Sequence, residues 1–154
     1  MCGPWGLEGC DPDLKMPLAQ PIEFVVTGTP ISVQASSKSK TRWKAIVAAA
    51  ASSVLSAAHT LTTELICATI VYFYRQGGTD VDNILKPILD AMNGIVYVDD
   101  DQVVDIRAAK RDLAGNYSIQ DVSPVLLDVL TTPGAGPADF VFVRVEETSG
   151  KDLP

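Results

Sequence analysis

Residues 79–111 read TDVDNILKPILDAMNGIVYVDDDQVVDIRAAKR, and the architecture follows from how this stretch divides. Ile84, Leu85, Ile88, Leu89, Ala91 and Met92 recur at helical spacing, with Asp82 or Asn83 in position to cap the start and Gly94 to stop the end. At about 100° per residue, Asp82, Asn83, Lys86, Asp90 and Asn93 share one narrow face, opposite the apolar arc. Pro87 falls near the end of the first turn, where losing one hydrogen bond is tolerated with a slight kink. After Gly94 the chain extends to the triplet Asp99-Asp100-Asp101, and QVVDIRAAK reads as a strand. A helix between two strands is the unit that covers one face of a sheet.

Working outward, Ile22, Phe24 and Val26 of PIEFVVTG alternate as a first strand, which Gly28 and Pro30 end. The loop ISVQASSKSK leads to an Ala-rich helix over 42–58 carrying Trp43, Ile46, Val47 and Leu55. Residues 63–75 end in TIVYFYR and form a second strand. On the far side, Ser123-Pro124 is an N-cap and N1 pair that starts the helix VLLDVL, and FVFVRVEE is a last strand. The order β, α, β, α, β, α, β predicts an α/β (α+β) chain, a single mixed β-sheet packed with helices in one layer pair. Residues 1–15, which mix Gly, Pro and acids without periodicity, are expected to be a disordered leader, leaving 16–154 as one domain. Neither G-x-G-x-x-G nor G-x-x-x-x-G-K-[ST] occurs.

The chain of 154 residues has 12 Lys+Arg against 19 Asp+Glu, a net charge of -7. Nearly all of that excess sits in residues 76–105, where Asp80, Asp82, Asp90, Asp99, Asp100, Asp101 and Asp105 face only Lys86. The preceding stretch is basic, with Lys38, Lys40, Arg42, Lys44 and Arg75 against Glu64. Bases at a helix entrance oppose the helix dipole, so the first four are expected to serve an anion, with Arg75, Lys110 and Arg111 as weaker candidates. No apolar run approaches the ~20 residues of a membrane span. The start MCGPWGLEGC lacks a basic and an apolar region, so a soluble, cytoplasmic protein is expected. Three cysteines and one histidine build neither a disulfide framework nor a zinc site, and Cys67 reads as a core thiol.

A metal bound here must therefore be held by oxygen. If the strand after the Asp triplet lies beside the one ending at Arg75, both acidic turns fall at one end of the sheet and three or four carboxylates converge. Such a group is relieved by raised pKa values, by dispersal into water, or by a hard divalent cation, for which Mg²⁺ or Mn²⁺ suits an aspartate-only site. An EF-hand does not fit, because Ile84 and Leu85 stand where a ligand and a glycine are needed. Lys86 among the carboxylates suits contact with a phosphate or a leaving group, or simple i,i+4 pairing with Asp82 and Asp90.

The spacing D-x-D-N, then K, then L-D-A-x-N, then D-D-x-Q-V in residues 79–111 resembles the signature of RusA-type Holliday junction resolvases. PIEFVVTGTPISVQ resembles the family's first strand and its P-x-S-x-Q turn, at Pro30, Ser32 and Gln34, although Ala35-Ser36-Ser37-Lys38 replaces the arginines that often follow. The resemblance implies a RusA-like fold and assigns the metal-binding aspartates to Asp80, Asp82 and Asp100 and the active-site lysine to Lys86. It further implies a homodimer that uses Mg²⁺ to cut two strands of a four-way DNA junction symmetrically, in recombination and repair. Lys38, Lys40, Arg42 and Lys44 are the expected contacts to the DNA backbone. A flap-DNA or nucleotide phosphohydrolase, and a junction-binding protein without catalysis, are the competing readings. For a dimer interface, the helix over 45–58 and the strand around 22–26 are candidates.

Overall fold

The computed structural model describes residues 18, 20–76, 78–132 and 139–153, so the expected leader at 1–15 lies outside the described residues. In chain order the elements are β1 (Ile22–Thr27), α1 (Ser37–Ser53), β2 (Ile66–Tyr74), α2 (Val81–Ala91), a 3-10 turn (Asp100–Gln102), β3 (Val103–Asp112), α3 (Pro124–Thr131) and β4 (Phe140–Glu147). They form one mixed sheet in the order β1-β4-β2-β3. β4 is antiparallel to both β1 and β2, while β3 runs parallel to β2. The α+β class and the element order match the sequence reading.

One layer pair does not describe the packing. α1 and α2 cover one face, where Trp43, Val47, Ile84 and Ile88 join Phe24, Ile70, Tyr72 and Val143 in the main core. On the other face, Leu126 of α3 packs with Phe73, Phe140 and Phe142. The physical reason lies in the central strands, whose runs ICATIVYFY and FVFV are apolar on both faces and so need cover on both sides. Phe73 and Phe140 stack there with ring centroids 4.7 Å apart.

Two helix starts differ from the sequence reading, each for a local reason. α1 starts at Ser37 rather than Arg42, because the Ser36 hydroxyl caps it by accepting from the Ser39 N–H at 3.2 Å. All four bases thus lie within the first half of the helix, not in a loop ahead of it. The N-cap of α2 is Asp80, which makes no side-chain cap bond, so Asp82 sits in the first turn rather than at the cap. Pro87 is then the seventh helical residue and buried, and the missing bond is replaced by another. The Asn83 carbonyl that a residue-87 N–H would have met instead accepts from the Val33 N–H at 2.9 Å. The loop before α1 is docked onto α2 by that exchange.

Candidate active site

α2 presents Asp82, Lys86 and Asp90 one turn apart on a single face, since its other face is buried. Lys86 Nζ reaches Asp90 Oδ1 at 2.7 Å and Asp100 Oδ2 at 2.5 Å, and Lys44 Nζ of α1 reaches Asp90 Oδ2 at 3.3 Å. The result is an alternating row Lys44–Asp90–Lys86–Asp100 that bridges α1, α2 and the turn before β3. Hydrogen bonding to Lys86 holds the Asp100 carboxyl down to about 2. The two carboxylates push Lys86 up from its ordinary value, so the Lys86–Asp100 pair is charged at neutral pH.

The three residues of the Asp triplet have different surroundings. Asp99 caps the 3-10 turn by accepting from the Asp101 N–H at 3.1 Å. Gln102 completes the turn, its amide oxygen accepting from the Val98 and Asp99 N–H groups and its amide nitrogen donating to the Thr62 and Glu64 carbonyls. Asp101 is exposed, and only Asp100 turns toward Lys86. Behind the turn, buried Tyr97 donates to the Leu89 carbonyl at 2.7 Å.

The expected convergence at one end of the sheet does not occur within one chain. β3 does lie beside β2, but because the two are parallel, the turn that precedes β3 is at the opposite end from the loop that follows β2. Asp80 and Asp82 stand at the entry of α2, while Asp100 meets the helix beside Asp90, roughly 12 Å of helical rise further on. Among the described residues no group of three His, Cys, Asp or Glu side chains is placed to hold a metal ion.

The four bases of α1 also separate. Lys40 and Lys44, four residues apart, line a groove of about 320 Å³ between α1 and α2 together with Lys86, Pro87 and Asp90. Lys40 Nζ also donates to the Val33 carbonyl at 3.2 Å. Arg42 instead borders a second depression, beside Trp43 and Gly28, and Lys38 is exposed. Of the weaker candidates, Lys110 lies over the Tyr74 ring, 4.6 Å from its centroid, with the Gly78 carbonyl 3.4 Å away, and Arg111 is exposed.

Sequence reasoning missed Asp139. Its carboxylate accepts from the Tyr72 hydroxyl at 2.6 Å, the Arg75 N–H at 3.0 Å and the Thr29 hydroxyl at 3.2 Å, which ties together the ends of β1, β2 and β4. The only available signal was Tyr72 itself, a hydroxyl inside an apolar run that had to find a partner. Gly78 lies against the same hydroxyl: with φ +122° and a Cβ that would come within 2.6 Å of Tyr72 Oη, the position admits no side chain. The knot lies at the end of β2, ahead of Asp80, the N-cap of α2. His59 has a structural contact, Nε2 lying 3.0 Å from the Ile95 carbonyl oxygen.

No curated protein matches this chain. Residues 17–116 match the family model described as endodeoxyribonuclease RusA, a span that takes in the first strand, the basic helix, α2 with its charged face, the Asp triplet and β3. The chain therefore belongs to the RusA family of endodeoxyribonucleases, the Holliday junction resolvases that hydrolyse phosphodiester bonds.

Proposed function

We propose that this chain is a divalent-metal-dependent resolvase that cuts two strands of a four-way DNA junction at symmetric positions, serving recombination and repair in the cytoplasm. The observation that carries the reading is the groove between α1 and α2, in which Lys40 and Lys44 lead directly to Lys86 and the carboxylates of Asp90 and Asp100. A phosphodiester backbone entering that groove meets cations first and then the charged row. There its phosphate competes with Asp90 and Asp100 for the two lysines. Lys86 is more than half exposed, so it is free to turn from its carboxylates to a phosphate oxygen.

Asp80, Asp82 and Asp100 are the proposed metal ligands, with Lys86 completing the catalytic set. Their chemistry fits Mg²⁺ or Mn²⁺, since all donors are carboxylate oxygens and the one histidine, His59, contacts the Ile95 carbonyl instead. Their placement in one chain does not, because Asp100 pairs with Lys86 away from the helix entry. Joint use of all three requires a change at Asp100 or a second chain. A divalent cation on these aspartates would supply positive charge where water attacks phosphorus. The protein's own part is to bind and orient the backbone through Lys40, Lys44 and Lys86, with Lys38 and Arg42 as outer contacts.

One chain carries one such charged face, whereas a resolved junction needs two related cuts, so the acting unit is a homodimer. The test is a labelled synthetic four-way junction beside a linear duplex of the same sequence, with and without Mg²⁺. Paired cuts in the junction alone, only with metal, are expected. Equal nicking of the linear duplex, or cutting that persists in a chelator, overturns the reading.

A further inference from the structure

We propose that the outer edge of β3 is the dimer surface, pairing antiparallel with β3 of a second copy about a two-fold axis at Ala108. The proposal deepens the homodimer reading above and rests on it. The sheet ends on β1 and β3, and among the described residues β3 pairs with β2 alone. At ten residues it is the longest strand, and its other edge offers a row of unpaired backbone groups. Isolated edges are usually defended by charge, proline or brevity. This one carries no proline, its charges Asp105, Arg107, Lys110 and Arg111 are of both signs and so can pair across a two-fold, and Val104 and Ile106 are exposed at 47% and 46%.

Charge along the strand selects the register. Asp105, Arg107, Ala109 and Arg111 alternate onto one face and Ile106, Ala108 and Lys110 onto the other. Opposite residues in an antiparallel pair share a face. With the axis at Ala108, Asp105 stands opposite Arg111 of the partner subunit, and the same pair recurs on the other side of the axis. Arg107 meets the partner's Ala109, Ile106 meets the partner's Lys110, and no like charges face each other. Moving the axis to Arg107 or to Lys110 sets that residue against itself, and moving it to Ala109 sets Arg107 against the partner's Arg111. Centring on Ile106 avoids repulsion but carries the pairing across the irregular register between Val103 and Asp105, where the ladder is broken.

The experiment places single cysteines in a chain carrying Cys2→Ser and Cys10→Ser, the buried Cys67 being left in place. At the axis, paired Cα atoms lie about 4.5–5.5 Å apart, within the range of about 4.4–6.8 Å that a disulfide spans. Ala108→Cys is therefore expected to convert most of the chain to a covalent dimer under mild oxidation. Ile106→Cys puts the two thiols four strand positions apart, roughly 13 Å, and is expected not to cross-link. Arg111→Asp is expected to weaken dimerisation at least tenfold in sedimentation, and Asp105→Arg/Arg111→Asp to restore it. If the parent chain sediments at twice its mass but Ala108→Cys gives no disulfide, or no more than Ile106→Cys does, the β3 register is wrong while the homodimer stands. A parent chain that is monomeric at micromolar concentration overturns both.

Discussion

The Val33 N–H donates to the Asn83 carbonyl at 2.9 Å, and it does so because Pro87 has no N–H to offer that oxygen. The imino acid inside α2 thus holds the loop that leads into the basic helix. Its neighbour Lys40 reinforces the same loop through the Val33 carbonyl. Restoring a donor should loosen it: Pro87→Ala supplies an N–H that competes for the Asn83 oxygen. We expect hydrogen exchange at Val33 to accelerate at least tenfold, with junction affinity falling because Lys40 and Lys44 follow that loop. An unchanged exchange rate would mean that the loop is held by its other contacts.

The carboxylates should divide by role. Asp80→Asn, Asp82→Asn and Asp100→Asn are each expected to abolish metal-dependent cutting while junction binding survives or tightens, since each removes a negative charge that faces phosphate. Asp101→Asn should be near neutral, its side chain being exposed. Asp99→Ala should cost about 1 kcal/mol of stability by removing the cap of the 3-10 turn. Cleavage and binding assays run in parallel, with thermal unfolding, separate these outcomes. Full cutting by Asp82→Asn would falsify the metal assignment.

The split of the basic residues leads to a paired comparison. Lys40→Ala/Lys44→Ala removes the two cations that line the groove, and should lower the slope of log binding constant against log salt by about 0.9 for each phosphate that is no longer neutralised. Lys38→Ala/Arg42→Ala, which leaves the groove intact, should change the slope less and leave cutting closer to normal. Equal effects from the two pairs would show that the groove is not the path of the backbone.

Tyr72 and Asp139 should give stability a two-sided pH dependence. Burial pushes the Asp139 carboxyl up, but hydrogen bonds from the Tyr72 hydroxyl, the Arg75 N–H and the Thr29 hydroxyl outweigh it and set it below its ordinary 3.8. A depressed carboxyl stabilises the fold above the unfolded value, and that contribution is lost as pH falls through the folded value. Tyr72 is raised above 10.0 by burial and by its bond to Asp139, so its contribution is lost as pH rises past 10.0. Tyr72→Phe should cost about 1.5–3 kcal/mol at neutral pH and flatten both limbs. Unfolding by urea at pH 3, 7 and 10.5 checks it, and parallel curves for the two proteins would remove the pair from the account.

The local order of strands and helices was legible because it rests on short-range chemistry. The apolar arc from Ile84 to Met92 and the pair Ser123-Pro124 each depend on neighbours within a few residues, and both are found as read. The family was legible for a related reason: the spacing of Asp80, Asp82, Lys86, Asp90 and Asp100 is a covalent property of the chain. What that spacing could not contain is direction. Whether β3 ran parallel or antiparallel to β2 decided if Asp100 would stand with Asp80 and Asp82 or with Lys86 and Asp90, and parallel pairing chose the latter.

Partners distant in sequence were equally hidden. The Lys44–Asp90 pair joins residues of two helices that stand 46 positions apart along the chain, and the Tyr72–Asp139 bond spans 67. Val33 meets Asn83 only because a proline four residues further on leaves a carbonyl unpaired. The sequence alone determined which residues are charged, which faces are apolar and how far apart the reactive positions lie along the backbone. Tertiary structure decided which charge meets which, because a charge's partner depends on distance through space, and that distance is set by strand direction and helix packing.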